Sequence, residues 1–436
     1  MNLLKTILLW ISRLLIGFTF IFSGFVKAID PVGTAIKFED YFAAFHLDFL
    51  GHYGLMFAIL LAAVEFLLGV NILLALSPKQ SSIYVLILMS IMTPLTLYLA
   101  LENPVSDCGC FGDALKLTNW ETFSKNVVLL SATIFYFVER KKVAHLYHHK
   151  IHWIPSILAF VFALLISINS YNHLPHIDFL PYKIGANIPE EMKIPEGAPA
   201  DEYATTFIYA KGNEKKEFTL TNYPANDTTW HFVEQKSKLI KKGFEPKIHD
   251  FSLTLKETGA EITDVVLQDT SFTFLLVSPK LNKAADAHID LINDIYDFAK
   301  DNNYSFYAMT GSTDVEIMDW VNSTGAEYPF CFTDQTTLKT MIRANPGLVL
   351  IKSGTVVGKW NSVDIPNEEE MSKYLKHVNQ NELKKAAAKE QNSIRTIFFV
   401  IVAFLLFLYL FEKLAVFVLK LIRKFKSKDN NIITNN

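Results

Sequence analysis

Apolar residues fall into runs long enough to cross a membrane, separated by short polar loops. About 20 residues are needed to cross roughly 30 Å of hydrocarbon. Six runs approach that length, and the last three need flanking residues or an upright orientation. The runs are 7–26, 55–76, 83–101, 123–138, 154–170 and 396–411. This pattern predicts six membrane spans.

The segment between the fifth and sixth runs has a soluble pattern. Residues 172–202 are proline-rich and polar, which is typical of an extended linker,. Two alternating apolar runs around Lys211-Gly212-Asn213 predict a hairpin, and a short helical stretch with Trp230 is expected next. From "HDFSLTL" onward, strand and helix patterns alternate, beginning with the strand "FTFLLVS" and closing with the hairpin "NPGLVLIKSGTVVGKW". Alternation predicts a mainly parallel sheet with an antiparallel edge. Residues after Pro366 are expected to be helical.

Composition agrees with a membrane protein that carries a soluble part. Half of the residues are hydrophobic, 35 are phenylalanine, and the mean hydropathy is +0.22. The formal net charge of −3 gives no sign of nucleic-acid binding,. Three cysteines are too few for a disulfide-built scaffold,.

Short basic loops predict the orientation, because lysine and arginine favour the cytoplasmic side. Lys5, Lys79, "ERKK" with Lys150, and the tail "LKLIRKFKSK" all fall on one side of a six-span arrangement. Both termini are therefore expected in the cytoplasm of a bacterium, with residues 172–394 and the loop "SDCGCFGD" on the periplasmic side of the inner membrane. The first run lacks a small-residue cleavage site, so we expect it to be retained.

The loop "SDCGCFGD" holds two of the three cysteines, Cys108 and Cys110. On the oxidising side they suit a redox pair, since a small-ring disulfide is strained and readily exchanged. A structural bridge is the second interpretation. A metal site using Asp107 and Asp113 as well is the third, but zinc sites usually space their cysteines further apart and recruit a second pair. We expect no metal.

Among the charged residues inside predicted spans, Glu65 and Arg13 are the candidates for a buried pair. Glu65 is near the middle of the second and Arg13 is in the inner part of the first. Such residues usually pair, so we expect an Arg13–Glu65 ion pair between two helices, with a protonated Glu65 on a proton or quinone path as the alternative. Lys27 is expected to extend toward the outer boundary. Four histidines in "HLYHHKIHW" (His145, His148, His149 and His152) are expected to be interfacial anchors rather than ligands,.

Residues 248–380 resemble the thioredoxin-like fold by element order. The resemblance implies that Pro346, just before the final hairpin, follows a cis peptide bond. The family's C-x-x-C is expected after the strand ending at Ser278, where this chain has "SPKLNKAADAH" and no cysteine. Dithiol exchange by this domain is therefore not expected. Cys331 alternates with aromatic residues in "YPFCFTD" and is expected to be a buried structural thiol.

Residues 9–140 resemble the DoxX and methylamine-utilisation protein E (MauE) membrane family. The resemblance rests on "SRLLIGFTFIFSGFVKAIDP", "EFLLGVNILL" and "DCGCFGD". It implies a four-helix membrane bundle linked to thiol–disulfide or quinone-coupled electron transfer, with Cys108 and Cys110 as the working pair. A membrane quinone is then the expected cofactor, and membrane lipid and an extracytoplasmic client protein are the expected partners. The chain has no second cysteine pair to relay electrons.

The predicted fold class is an α-helical membrane bundle, four helices of the DoxX/MauE type plus two further spans, with an extracytoplasmic α/β thioredoxin-like domain. Two functions remain open: a membrane thiol–disulfide or electron-transfer protein, and a non-enzymatic binding or assembly module in which the C-G-C bridge is structural. The expected units are a four-span domain (1–143), a fifth span (144–171), a linker and hairpin (172–247), the thioredoxin-like domain (248–380), a helix with the sixth span (381–424) and a tail (425–436).

Overall fold

The computed structural model describes residues 3–105, 107–143, 147, 153–200, 202–211, 214–219, 229–241, 243–378 and 393–433. The four histidines of "HLYHHKIHW" and the expected helix at 381–392 lie outside the described residues. The described chain forms two main parts, and the second is inserted between the sixth helix and the C-terminal helix of the first. They are a helical bundle and an α/β domain.

The bundle is built from the apolar runs. Its helices are α1 (Leu3–Ile29), α2 (Pro31–Ala44), α3 (Gly54–Leu73), α4 (Pro78–Glu102), α5 (Asn119–Glu139), α6 (Trp153–Asn172) and the C-terminal helix Ser393–Ile433. Two of the starts are capped by side chains. Asp30 accepts a hydrogen bond from the backbone of Gly33 at the start of α2, and Thr118 forms a capping box with Glu121 at the start of α5,.

Five helices in the described residues are long and apolar enough to cross a membrane, where the sequence predicted six. They are Leu3–Ile29, Asp48–Leu73, Pro78–Glu102, Trp153–Asn172 and Arg395–Val418. The remaining predicted span corresponds to α5, whose buried residues include Asn126 and Thr133. Polar groups on α5 face the bundle, since Asn126 donates to the Thr96 hydroxyl on α4 at 3.1 Å. The polar residues of α5 are therefore the reason that it is less apolar than the other predicted spans.

The length of α5 nevertheless runs from one end of the bundle to the other. It starts just after the C-G-C loop, which contacts the C-terminal part of α1. It ends beside the α3–α4 connection, where residues 77–80 line a common cleft with Arg140, Lys141 and Val143. Its polar face is thus compatible with membrane depth because other helices cover it.

Glycines bring α1 and α3 into backbone contact and set their antiparallel register. A Cβ on Gly24 would lie 2.3 Å from the Phe66 nitrogen, and one on Gly69 would lie 2.5 Å from the Ile21 nitrogen. Small residues at such crossings let membrane helices approach closely. This register decides which charged side chains can meet.

Residues 174–192, expected to be an extended linker, instead pack on the α/β domain. They include the short helix α7 (Ile188–Glu191). Tyr182 and Ile188 are essentially inaccessible and belong to the core on one face of the sheet. The Ile188 nitrogen donates to the Gly354 carbonyl at 2.8 Å. Proline and polar residues set the irregular path, while two large apolar side chains anchor it.

A three-stranded antiparallel sheet follows, with the order β2-β1-β3. Its strands are β1 (Glu202–Lys211), β2 (Glu214–Thr219) and β3 (His231–Lys241). The predicted hairpin is confirmed by the pairing of β1 with β2. The prediction of a short helical stretch with Trp230 is wrong in the described residues, because Trp230 lies in a bend and residues 231–241 pair with β1. Tertiary pairing overrides a weak local helical pattern.

The α/β domain has a six-stranded sheet of order β4-β7-β6-β5-β8-β9. Its elements are β4 (Thr254–Leu255), α8 (Thr263–Gln268), β5 (Phe272–Ser278), α9 (Ile289–Asp301), β6 (Ser305–Thr310), α10 (Asp314–Thr324), β7 (Phe330–Phe332), α11 (Gln335–Met341), β8 (Gly347–Lys352), β9 (Thr355–Asn361) and α12 (Glu368–His377). Strands β5, β6 and β7 are parallel, and β8 and β9 form an antiparallel edge.

This connectivity confirms the thioredoxin-like fold predicted from element order. Strand β5, with seven consecutive buried residues, is central, and apolar cores cover both faces of the sheet. The Asn345–Pro346 peptide bond is cis. The loop bearing Pro346 lies beside the segment after β5, since the Asn345 side chain donates to the Lys280 carbonyl at 2.9 Å.

Candidate functional site

The C-G-C loop lies at the end of the bundle where α1 ends and α2 begins. Gly109 has φ of +64°, a backbone conformation that favours glycine,. The two neighbouring cysteines are both free, and their Sγ atoms are 2.9 Å apart. Cys108 is buried, whereas Cys110 is partly exposed. The structure therefore brings the two predicted thiols together with one of them accessible.

Helix α2 holds the first half of the loop. The Tyr41 hydroxyl donates to the Cys108 carbonyl at 2.6 Å. The Lys37 ammonium lies 2.9 Å from the Asp107 carboxylate, which also accepts from the Gly109 nitrogen at 2.9 Å. Asp107 is thus committed to the loop backbone and to a lysine. These contacts position the loop, and the Tyr41 hydroxyl also interacts with the Cys108 side chain.

Helix α1 holds the second half of the loop. The Lys27 ammonium donates to the Cys110 carbonyl at 2.8 Å, and the Ser23 hydroxyl lies 2.7 Å from the same oxygen. Lys27 also forms a buried ion pair with Glu65 at 2.7 Å. Lys27 was expected to extend to the membrane boundary. It instead joins α1, α3 and the C-G-C loop.

The predicted Arg13–Glu65 ion pair does not form. The Arg13 guanidinium instead donates to the carbonyls of Ile72 and Leu73, at 3.0 Å and 2.5 Å for the closest contacts. Ser23 and Lys27 of α1 both contact Glu65 at 2.7 Å, and Arg13 is ten residues before Ser23, about 15 Å away along α1 at 1.5 Å per residue,. The sequence analysis estimated the membrane depth of Arg13 and Glu65 from the ends of the apolar runs, which does not give the register between α1 and α3. Gly17, Gly24 and Gly69, where the two backbones come close, were the sequence signal for that register.

Electrostatics distinguish the two thiols. The hydrogen bond from Cys108 lowers the pKa of Cys110 to about 6, with Lys125 and Lys27 adding positive charge. The same hydrogen bond, together with burial, raises the pKa of Cys108. At neutral pH this favours a thiolate on Cys110 and a thiol on Cys108. A thiolate next to a thiol is the starting state for thiol–disulfide exchange.

Cys331 is not part of this arrangement. It lies on β7 inside the α/β core and is fully buried. Burial raises the pKa of its thiol to about 12. A buried, protonated thiol behaves as a small apolar side chain.

Arg343 connects the α/β domain to the loop, and the sequence analysis missed it. This side chain is buried and lies just before the Asn345–Pro346 bond. Its Nε lies 2.9 Å and 3.1 Å from the two carboxylate oxygens of Asp30, and its Nη2 lies 2.5 Å from Asp113. Asp113 is therefore engaged by a guanidinium and does not join the thiols as a metal ligand. An isolated arginine in a soluble domain carries no sequence signal for such a contact.

The loop of the α/β domain that would carry a redox motif faces the bundle. Lys280 and Lys283 follow β5 there and line a cleft with Val32 and Ile36 of α2. The Ala285 nitrogen donates to the Asn345 carbonyl at 2.9 Å. The carbonyl that precedes Pro346 is therefore already hydrogen-bonded to the backbone of this chain.

Two family models match parts of the chain. Residues 5–139 match the family model of Methylamine utilisation protein MauE. This MauE-like segment contains α1 to α5 and the C-G-C loop. It is less than a third of the chain. Residues 203–242 match a domain of unknown function (DUF8463), which corresponds to the three-stranded sheet.

No curated protein matches the chain. One similar solved structure is described as that of "a putative protein disulfide isomerase from Bacteroides thetaiotaomicron". It is 20% identical over 29% of this chain and 83% of its own, with a TM-score of 0.24. The thioredoxin-like assignment rests on strand order and connectivity, and the MauE-like segment marks the bundle as a multi-pass membrane protein.

Proposed function

We propose that this chain is a membrane thiol–disulfide exchange protein that works through Cys108 and Cys110. The observation that carries the proposal is the pair itself, with sulfurs 2.9 Å apart and one of the two thiols partly exposed. The α/β domain has no dithiol at the corresponding place, so its role is to position a client protein. This joins the MauE-like segment to a thioredoxin-like fold in one functional unit.

The exchange balances without another group in the site. The Cys110 thiolate attacks a client disulfide, forms a mixed disulfide and releases one client thiolate. Cys108 passes its proton to that thiolate and attacks Cys110 Sγ, which forms the Cys108–Cys110 disulfide and releases the second client sulfur. Two electrons pass from the pair to the client. A dithiol protein or a low-molecular-weight thiol restores the pair.

A quinone is not part of this mechanism. Besides Cys110, residues that line the adjoining cavity include Ser23, Glu65, Phe111 and Lys125. Its volume is about 30 Å³, enough for one or two water molecules,. Ligand pockets usually measure roughly 300–1,000 Å³. The residues present therefore do not accommodate a quinone ring, and we propose no step through one.

We further propose that the loop and the α/β domain lie outside the cytoplasm, in the periplasm of a bacterium. Arg140, Lys141 and Lys142 follow α5 at the opposite end of the bundle, which supports this by the positive-inside tendency,. A membrane-impermeant thiol reagent applied to reduced cells with a permeabilised outer membrane is expected to label Cys110. Labelling only after the inner membrane is broken would reverse the orientation.

Mixed-disulfide trapping tests the exchange. In Cys108→Ser the resolving thiol is missing, so client proteins should accumulate on Cys110 and be detected by non-reducing electrophoresis and mass spectrometry after acid quenching. Cys331→Ser is the matched control and should trap nothing. If Cys108→Ser traps no more than the Cys108→Ser/Cys110→Ser double variant, exchange through this pair is refuted.

The second candidate function is a non-enzymatic assembly module. It is favoured by the α/β domain, which has lysines where a redox motif would be and is bound to the bundle through Arg343. In that case the double serine variant should fully complement a deletion strain at normal membrane abundance. Loss of complementation with normal abundance supports exchange instead.

A further inference from the structure

A cleft between the bundle and the α/β domain is large enough to hold a ligand. Its volume is about 580 Å³, within the usual range for ligand pockets,. One wall comes from the first two turns of α2 and from the end of α6. The opposite wall comes from the loops after β5 and around Asn345. The cleft is distinct from the small cavity at Cys110.

The position of the cleft corresponds to the membrane surface. Val32 and Ile36 come directly after α1, and Tyr171 belongs to the last turn of α6. Both α1 and α6 are apolar enough to cross a membrane, and both end here. The half-exposed Tyr171 side chain is typical of the aromatic residues found where helices leave the bilayer,.

Charge in the cleft is predominantly positive. Lining residues include Lys280, Lys283, Lys339 and Arg343, against one carboxylate, Glu39. Arg343 is engaged by two aspartates and Lys339 lies 4.0 Å from Glu39. Hydrogen bonds from Thr313 and the nearby Lys280 ammonium lower the pKa of Glu316, so Lys280 is partly compensated. The cleft lining still carries four basic side chains against one carboxylate.

Apolar side chains complete the lining from the bundle side and the domain side. Val32, Ile36, Ile342 and Val363 all contribute. A cleft that combines apolar walls with an excess of basic side chains at the membrane surface complements an amphiphile with an anionic head group. We propose that it binds an anionic phospholipid, with the phosphate near Lys280 and Lys283 and the upper acyl chain along Val32 and Ile36.

This proposal does not depend on the chemistry of Cys108 and Cys110. A lipid held here would contact both the bundle and the loop after β5, and so would stabilise their association. Each basic side chain near an anionic membrane surface strengthens binding by an amount equivalent to about fivefold in affinity. Removing two of them is expected to weaken lipid binding roughly 10- to 30-fold.

The test uses the full chain purified in a neutral detergent and titrated with phosphatidylglycerol, with retained lipid counted by native mass spectrometry. The double variant Lys280→Gln/Lys283→Gln should bind phosphatidylglycerol roughly 10- to 30-fold more weakly, as expected from the loss of two positive charges. Lys300→Gln/Lys376→Gln removes the same charge from α9 and α12, outside the cleft, and should bind like the unmodified chain.

Two further measurements distinguish a phospholipid head group from a free phosphate ion as the bound anion. Phosphatidylcholine should bind less tightly than phosphatidylglycerol, and millimolar inorganic phosphate should fail to displace the lipid. Equal binding by the two double variants overturns the proposal. Displacement by inorganic phosphate also overturns it, because the site would then take a free anion.

Discussion

Arg343 binds Asp30 across the boundary between the α/β domain and the bundle. Its Nε lies 2.9 Å and 3.1 Å from the two carboxylate oxygens, and both side chains are buried. The same guanidinium reaches Asp113, which follows the C-G-C motif in the same loop. Asp30 also caps α2, the helix that holds Cys108 through Tyr41. One side chain therefore positions the domain and the dithiol loop together.

Arg343→Gln should separate the domain from the bundle. The substitution leaves two carboxylates without their cation, and breaking a buried pair from one side costs about 3–5 kcal/mol. The loss is measured as a lower unfolding temperature and faster proteolysis at the domain boundary. Lys373→Gln is the control, because its pair with Glu369 is exposed and should change stability by less than about 0.5 kcal/mol,. Equal effects of the two substitutions would contradict the bridge.

Lys27 and Glu65 should be energetically coupled, whereas Arg13 and Glu65 should not. Neighbouring groups in one network couple by about 0.5–3 kcal/mol, and distant ones add within roughly 0.5 kcal/mol. Double-mutant cycles with Lys27→Met, Arg13→Gln and Glu65→Gln, measured by unfolding in denaturing detergent, separate the cases. If Arg13→Gln recovered stability lost in Glu65→Gln, the result would instead support the Arg13–Glu65 ion pair predicted from the sequence.

Alkylation of Cys110 should depend on pH with a midpoint near 6. The thiolate is the reactive form, so the rate should rise as pH increases through about 6 and stay level above pH 7. Cys108→Ala removes the hydrogen bond that favours the thiolate, and Lys125→Met removes a nearby cation, so both should shift the midpoint upward. Iodoacetamide rates on the reduced protein, followed by mass spectrometry, provide the measurement.

Cys331 is the internal control for that experiment. With a pKa raised to about 12 by burial, it should remain unlabelled in the folded protein across the same range. A Cys110 midpoint near the ordinary thiol value of about 8.5 would contradict the thiolate assignment.

Ile188→Ala should destabilise the α/β domain although Ile188 precedes that domain in sequence. Its side chain is completely buried, and truncating such a residue costs about 2–5 kcal/mol,. Ile194→Ala, six residues on and 66% exposed, is the matched control and should be close to neutral,. Thermal unfolding of the full chain compares them. Similar small losses of stability in Ile188→Ala and Ile194→Ala would contradict this prediction and support the interpretation of the segment as a linker.

Local pattern was sufficient for elements whose stability is set by their own periodicity. The alternation of strands and helices from β5 to β9 was predicted because a buried strand and an amphipathic helix have different apolar periods. It failed at β3, where residues 231–241 become a strand by pairing with β1. It also predicted the helix α5, which is not among the helices apolar enough to cross a membrane by composition because it carries polar residues that α4 covers.

The sequence by itself determined a membrane bundle, an α/β domain of alternating strands and helices, and a pair of cysteines one residue apart. These follow from composition, periodicity and spacing, which are local properties, and the order of the α/β elements is what resembles the thioredoxin-like fold. Only the tertiary structure decided the charged partners: Lys27 rather than Arg13 for Glu65, and Arg343 for Asp30 and Asp113. These contacts depend on the register between helices and on how the domain docks on the bundle. Register and docking are determined by backbone contacts at glycines and by burial of side chains distant in sequence, and such contacts produce no periodic pattern in the sequence.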